Sequence, residues 1–330
     1  MRTLGRLVLW LLLAAAVVVG LVWYFGPREA VGYGVAPDLP GPSALDDWLA
    51  EREAAFNDLR PGAEKRIRWA GRRGEVTPLS VVYVHGFSAT SEEIRPVPDD
   101  LAARLGANLH FARLRGHGRD MQTGGAALAE ATASDWMSDV REAAAIGAEI
   151  GERTVIVATS TGGTLVALAA SEGLLPETVA GVALISPNFG VRARGTRLLT
   201  LPGARWWLPL FAGRERSFAP QNEGHGDWWT ARYPIGAAFP VGAATEAAAR
   251  AEYVAATMPA LFVFSPNDRV VDVSDTRAVA ARWAGPSELV ELHLPEEGAD
   301  PQAHVVAGDI LSPAMNNTVL NLLADWAEGL

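Results

Sequence analysis

The sequence predicts an α/β fold, with a mainly parallel central sheet and helices packed on both of its faces. Three observations carry that prediction. Short runs of β-branched and other apolar residues alternate with helical patterns over most of the chain. Strands joined in this way need crossover connections, and crossovers make parallel neighbours. The chain has 330 residues, 49% of them hydrophobic, enough for one large core or two smaller ones.

The first segment stands apart from the alternation. Leu7 to Phe25, "LVLWLLLAAAVVVGLVWYF", runs 19 residues without a charge, close to the ~20 that span a bilayer as a helix. Arg2 and Arg6 precede it, and Trp23, Tyr24 and Phe25 supply an aromatic belt at its far end. We read residues 1–25 as an N-terminal transmembrane anchor. A cleavable signal peptide is the rival reading, with an apolar region of typically ~7–15 residues. Cutting after Ala14, Ala15 and Ala16 would leave an exposed apolar end, "VVVGLVWYF". A buried helix of the globular domain is the third reading, but nothing polar marks a solvent face. Because only Arg28 follows the span closely, the positive-inside rule puts the N-terminus in the cytoplasm. The rest of the chain is then extracytoplasmic or periplasmic.

Residues 26–42, "GPREAVGYGVAPDLPGP", are rich in glycine and proline and read as a tethering linker. A helix is expected over Ser43–Asn57, capped by Ser43 with Asp46 and Asp47 in its first turn. Lys65–Trp69 is a short edge strand. Further strands follow at Leu79–His85, Asn108–Leu114, Thr154–Ala158, Val179–Ser186, Ala260–Ser265 and Glu288–Leu294. Helices are expected at Asp99–Leu105, Ser134–Gly151, Thr161–Ala170, Asp275–Trp283 and Asn316–Glu328. Residues 43–330 thus form one domain, with its ligand site at the carboxyl ends of the strands. About residues 188–243 show no clear strand. A structureless loop of that length is unlike a folded domain, so this stretch is expected to be a lid or small insertion.

Composition narrows the function. A formal net charge of −10 argues against nucleic acid as a partner, because phosphate binding needs a basic footprint. The absence of cysteine excludes disulfides, thiol catalysis and thiolate metal sites. No metal is expected, since the histidines lack a ligand spacing such as His-x-x-x-His. No cofactor is expected either.

What remains is chemistry carried by side chains. Acyl transfer through serine needs a hydroxyl, a base, a carboxylate that orients the base, and donors for an oxyanion. Ser160 lies in "TVIVATSTGGTLVALAA", two residues beyond a strand and directly before a helix. Taken alone, it reads equally well as an N-cap for that helix. Gly162 and Gly163 favour a nucleophile, because a sharp strand-to-helix turn needs small neighbours. Asp268 follows the strand Ala260–Ser265, in "SPNDRVVD", where Asp272 is a rival and Asn267 could form an Asx-turn. His304 follows the last strand, in "GADPQAHVVAG". His110, His117, His225 and His293 are weaker candidates for the base. Thr161 can offer its backbone N–H to an oxyanion, and the loop "HGF" at 85–87 offers that of Phe87. The His85 side chain reads as a residue that shapes the turn.

The set "HGF" at 85–87, "RGHGRD" at 115–120, "TSTGG" at 159–163, "SPNDRVVD" at 265–272 and His304 resembles the α/β-hydrolase superfamily. Within it the chain looks like bacterial carboxylesterases, monoacylglycerol lipases and serine aminopeptidase-like hydrolases. The resemblance covers about residue 78 to the C-terminus. It implies Ser160, Asp268 and His304 as a catalytic triad, Phe87 and Thr161 as the oxyanion hole, and a cap inserted after strand 6, over about residues 188–243. The chain departs from the family pattern at Ala158, where G-x-S-x-G has glycine, and at Thr159, where many relatives carry histidine.

The expected cap is apolar and basic. Trp206, Trp207, Trp228 and Trp229 are candidate substrate-binding residues, with the cap's own small core as the competing explanation. Val191–Ser217 holds six arginines (192, 194, 197, 205, 214 and 216) against the single acid Glu215. That balance suggests contact with anionic headgroups or capture of an anionic substrate, or simply a solvated face. The function expected is a serine esterase or lipase cleaving lipid-like or small acyl esters, of the monoacylglycerol type for example. An acyltransferase sharing the acyl-enzyme is the alternative, followed by a peptidase. A catalytically silent, membrane-tethered binding module is the reading from a different class.

Overall fold

Period-two alternation inside the strands decides the architecture. In the computed structural model, which describes residues 2–330, the strands are β1 (Arg66–Arg68), β2 (Thr77–Val84), β3 (Asn108–Phe111), β4 (Gly151–Thr159), β5 (Val179–Ile185), β6 (Glu215–Ser217), β7 (Arg232–Pro234), β8 (Ala260–Phe264) and β9 (Ser287–Glu291). Val82, Val84, Ile156, Ala158, Val182, Leu184 and Phe262 point to one side of the sheet. Val81, Tyr83, Val155, Val157, Ala183, Ile185, Leu261 and Val263 point to the other. Apolar residues on both faces cannot be left in water, so both sides are covered by helices.

The helices are α1 (Arg2–Phe25), α2 (Leu45–Glu53), α3 (Val97–Leu105), α4 (Gly124–Glu130), α5 (Ala133–Ile150), α6 (Thr161–Ser171), α7 (Ala204–Ala212), α8 (Glu223–Trp228), α9 (Ala238–Arg250), α10 (Val273–Ala280) and α11 (Asn316–Glu328). One core joins α5, α6, α9 and α10 to the first face. The other joins α3 and α11 to the second. The sheet runs β1-β3-β2-β4-β5-β8-β9, parallel throughout except for the edge strand β1, which pairs antiparallel with β3. From β2 the order proceeds outward in one direction to β3 and in the other to β4. The carboxyl ends of β2 and β4 therefore flank the switch point, where open α/β sheets place their ligands.

Several expectations need correction. Ser43 does not cap the first helix of the domain. Pro42–Ala44 forms a 3-10 turn, Ala44 occupies the cap position of α2, and no side chain caps it. That helix stops at Glu53 rather than Asn57. The Glu53 carboxylate is drawn into a buried pair with Arg113, at 2.6 and 2.7 Å, and also accepts the Lys65 N–H at 3.0 Å. The linker is not a free tether either. Gly32 N–H donates to Ser134 Oγ at 2.7 Å, Arg141 donates to the Tyr33 carbonyl at 3.0 Å, and the Tyr33 hydroxyl donates to Glu172 at 3.1 Å. These contacts pin it along α5 and to the end of α6.

The insertion follows the fifth strand of this chain, not a sixth, and it contains regular structure. β6 and β7 pair antiparallel beside α7 and α8. Its end at 243 falls inside α9, which continues to Arg250 and packs into the main core through Val241, Ala244 and Ala248. The helix α1 extends beyond the domain. Thr3–Phe25 has a mean hydropathy of 2.5, none of it buried in the protein, and is long and apolar enough to cross a membrane.

Candidate active site

Four strand ends converge on one site. β4 ends at Thr159 and α6 begins at Thr161, so Ser160 alone makes the turn, with φ 50° and ψ −118°. A non-glycine residue at positive φ is strained, and such strain persists only where the surroundings enforce it. Here close packing enforces it. A Cβ on Gly162 would stand 2.5 Å from the Val84 carbonyl oxygen and 2.6 Å from that of His85. One on Gly163 would stand 3.1 Å from Pro187 Cβ. The helix can thus lie against the loops after β2 and β5 only because both positions are glycine. Ala158 needs no glycine, since its methyl group sits in the core between its register neighbours Val84 and Leu184. The Ser160 side chain caps nothing. Its Oγ lies 3.0 Å from His304 Nε2.

Asp268 lies in the turn after β8 and is fully buried. Its Oδ1 accepts the N–H groups of Val270 and Val271 at 2.7 and 2.9 Å, which leaves Oδ2 facing His304 Nδ1 at 2.8 Å. The rival Asp272 instead caps α10, accepting from Ser274 N–H at 3.0 Å and from its hydroxyl at 2.7 Å. His304 is held by a carboxylate the sequence did not single out. Asp300 Oδ2 accepts the N–H groups of His304 and Val305 at 3.1 and 3.0 Å. Its Oδ1 accepts from Gln302 N–H at 3.0 Å and from Gln221 Nε2, in the insertion, at 2.9 Å. Burial alone would depress the imidazolium. The hydrogen bond and charge of Asp268, followed by the charges of Glu93 and Asp300, outweigh burial and raise the His304 pKa above its ordinary value.

The loop after β2 completes the constellation. The N–H groups of Phe87 and Thr161 donate to no protein acceptor among the described residues. His85 shapes the turn as expected: its ring bonds the Gly86 carbonyl at 2.8 Å and accepts the Leu114 N–H at 3.1 Å. Burial pushes its pKa down to about 4, which keeps it neutral. Behind the loop lies a second unanticipated carboxylate, Glu93. Its Oε2 accepts the Gly86 N–H at 2.7 Å and the Tyr83 hydroxyl at 3.0 Å, and that hydroxyl also meets Thr159 Oγ1 at 3.2 Å. Burial raises Glu93 to about 7, against the lowering effects of Gly86, Tyr83 and His304. No local signal separates Glu93 from its neighbour Glu92. Only the position of Gly86, seven residues upstream, hints at a role.

Besides Gln221 on Asp300, the insertion reaches the site through Arg192, which donates to the Asp268 carbonyl at 3.0 Å, and through contacts with the loop after β2. Thr230 N–H donates to the Ser88 carbonyl at 2.8 Å, and the Tyr233 ring meets Phe87 edge-on at 5.2 Å. The four tryptophans do not share one groove. Trp206 is exposed, and Trp207 packs in a small core around Ala204, Leu208, Ile235 and Phe239. Trp228 faces Arg60, whose guanidinium lies 5.9 Å from its ring. Trp229 is buried in the core of the second sheet face, against which Trp228 is also packed. The remaining histidines are accounted for elsewhere: His110 and His117 are buried against backbone carbonyls, His225 stacks on Phe218, and His293 is exposed.

Comparison with known proteins agrees with this architecture. A model of the alpha/beta hydrolase family matches residues 81–308. No curated protein sequence matches the chain. Among solved structures, one described with LipS and LipT, two metagenome-derived lipolytic enzymes, superposes with a TM-score of 0.66 at 21% identity, covering 82% of this chain and 100% of that one. Est1E from Butyrivibrio proteoclasticus, with bound ferulic acid, gives a TM-score of 0.55 at 17% identity, with 81% and 94% covered. The monoacylglycerol lipase of Paleococcus ferrophilus gives 0.54 at 14% identity, with 79% and 99% covered. The family match spans more than half of the chain and holds the loop after β2, Ser160, Asp268 and His304 within its limits, so the chain belongs to the alpha/beta hydrolase family.

Proposed function

We propose that this protein is a serine hydrolase that cleaves carboxylic esters through an acyl-enzyme on Ser160. One observation carries the reading. The Ser160 hydroxyl, freed from helix capping by a strained backbone, meets His304 at 3.0 Å, and His304 meets the buried Asp268 at 2.8 Å. A helix cap needs neither partner. The lipolytic, esterase and monoacylglycerol-lipase names among the similar structures support esters, lipid-like or with small acyl groups, as the substrate class.

In this mechanism His304 Nε2 takes the Ser160 proton as Oγ attacks the ester carbonyl carbon. The carbonyl oxygen becomes an oxyanion, which accepts from the Phe87 and Thr161 N–H groups. Asp268 holds the imidazole tautomer and stabilises the imidazolium. The bond to the leaving alcohol breaks and His304 supplies its proton. Water, deprotonated by the same nitrogen, then attacks the acyl-enzyme and releases the acid and Ser160. The insertion acts as a cap over this centre, contacting the Phe87 loop through Thr230 and Tyr233. We read α1 as a membrane anchor with the catalytic domain on the extracytoplasmic side, on the strength of its length, its composition and the preceding arginines.

A fluorophosphonate probe and a panel of esters of increasing acyl length test the proposal. Covalent labelling and hydrolysis should both disappear in Ser160→Ala. Undiminished labelling of that variant would overturn it. Product analysis with added alcohols separates hydrolysis from acyl transfer.

A further inference from the structure

The insertion turns three large apolar side chains outward. Trp206, Leu210 and Phe211 are 61%, 72% and 83% exposed, while Ala204 and Leu208 of the same helix are buried against Ile235 and Phe239. A nine-residue helix whose inner face is already packed leaves this outer face without a protein partner. Cations flank it along the chain. Arg194, Arg197 and Arg214 are exposed and form no ion pair among the described residues, and Arg216 donates only to the carbonyls of Ala212 and Glu215. This arrangement is unusual in a chain whose formal net charge is −10.

Its position in the molecule indicates what covers it. Gly203, directly before α7, donates its N–H to the Pro27 carbonyl at 2.8 Å. A Cβ on Gly203 would stand 3.0 Å from Val22 Cγ1, and one on Gly26 would stand 2.9 Å from the Gly203 nitrogen. Arg205 pairs with Glu29 at 2.7 Å, and Arg28 reaches the Thr200 carbonyl at 3.3 Å. The start of α7 is therefore locked to the end of α1, level with the exposed Trp23, Tyr24 and Phe25. Aromatic side chains at the end of a span sit at the headgroup level. A short helix with aromatic and apolar residues on its outer face and arginines before and after it in the chain suits that same layer.

We propose that α7 lies in the membrane interface beside the end of α1, with Trp206, Leu210 and Phe211 in the headgroup–acyl boundary and the flanking arginines on anionic lipid phosphates. This inference rests on the reading of α1 as an anchor. The insertion is then fixed to the leaflet at a second point, beyond the covalent tether. Because Thr230 and Tyr233 of the same insertion hold the Phe87 loop, an ester dissolved in that leaflet is the substrate nearest to the site.

The absence of native cysteine makes single labels unique. The full chain is reconstituted in vesicles of phosphatidylcholine alone, or of phosphatidylcholine and phosphatidylglycerol in equal parts. An environment-sensitive fluorophore is placed at Leu12→Cys in α1, at Phe211→Cys, or at Val254→Cys. Val254 is 76% exposed in the turn before β8, at the amino ends of the strands and away from the site. The labels at 12 and 211 should be quenched by spin-labelled lipid and shielded from aqueous iodide, and the label at 254 should behave oppositely. Quenching at 211 should be stronger in the anionic vesicles, and replacing Arg194, Arg197, Arg214 and Arg216 by Gln should remove that difference. A label at 211 that follows the label at 254, while the label at 12 stays in lipid, overturns the interfacial helix and leaves the anchor standing. An aqueous label at 12 overturns both. Equal quenching at 211 in the two vesicle types overturns the phosphate contact.

Discussion

The Glu93 carboxylate, buried behind the Phe87 loop, accepts the Gly86 N–H at 2.7 Å and the Tyr83 hydroxyl at 3.0 Å. Fixing Gly86 fixes the next peptide, whose N–H belongs to Phe87. The carboxylate charge also stabilises the His304 imidazolium, although Asp268 is the stronger influence. Glu93→Gln keeps the shape and an acceptor but removes the charge. The His304 pKa should then fall, and the acid limb of the kcat/KM profile should move to lower pH. Glu93→Leu also removes the acceptor and should cost more in kcat, up to the ~10²-fold expected when an oxyanion donor is misplaced. A pH–rate series on both variants is the measurement. An acid limb that stays in place in Glu93→Gln would show that the charge does not reach the imidazole.

Asp268→Asn addresses the other side of the same ring. An amide can donate to Nδ1 and would select the wrong imidazole tautomer, so kcat should fall by about 10³–10⁴-fold with the fold retained. In the unchanged protein, activity requires neutral His304, whose pKa is raised. Its acid limb should therefore lie above the ordinary imidazole value of about 6.5. A loss of less than tenfold in Asp268→Asn would give the orienting role to Asp300, the other carboxylate bound to this loop.

How much of this was legible in the sequence depended on distance along the chain. Ser160, Asp268 and His304 could be located because each follows an apolar run, and parallel strands bring their carboxyl ends to one edge. Helix α11 spans the Asn316–Glu328 expected from its pattern, since amphipathic periodicity is local. Glu93 and Asp300 were missed because their roles lie in partners that folding supplies: Tyr83 and Gly86 for one, the N–H groups of the His304 loop for the other. The four tryptophans lie close together in sequence, whereas packing sends Trp229 into the main core and Trp206 outward. The end of α2 is hidden from its local pattern for a related reason, because Glu53 answers to Arg113, 60 residues away.

The turn at Ser160 can be tested by its neighbours. Gly162→Ala would press a methyl group to within 2.5 Å of the Val84 carbonyl oxygen, a backbone atom that cannot swing aside. The result should be a loss of several kcal/mol in stability, or a displaced Ser160 with little activity. Ala158→Gly restores the family pattern but removes a buried methyl group and loosens a central strand. It should cost about 1 kcal/mol and leave kcat nearly unchanged. Denaturant unfolding together with esterase assays on the two variants checks both. A well-folded, fully active Gly162→Ala would mean that the close approach of α6 is not what strains the turn.

Acid should unfold the protein through histidines that take no part in the chemistry. His85, His110 and His117 are fully buried, and burial pushes their pKa values to about 4, to about 3 and well below the ordinary value, respectively. Nε2 of both His110 and His117 lacks a protein partner among the described residues. In the unfolded chain each would titrate near about 6.5. A depressed native pKa contributes stability that is present above the unfolded value and lost as pH falls towards the native one. For His85 and His110 the loss is on the order of 3–5 kcal/mol each at the bottom of that window, at about 1.4 kcal/mol per unit. Glu93, raised to about 7, acts in the opposite sense, since its stabilising form is the protonated one. It offsets part of the slope between roughly pH 4.5 and 7. The melting temperature should therefore drop steeply between about pH 6 and 4. The drop should be shallower in His110→Leu, whatever the substitution does to stability at pH 8, and steeper in Glu93→Gln. An unchanged slope in His110→Leu would assign acid unfolding to carboxylates such as Glu53, whose pairing with Arg113 holds its pKa low.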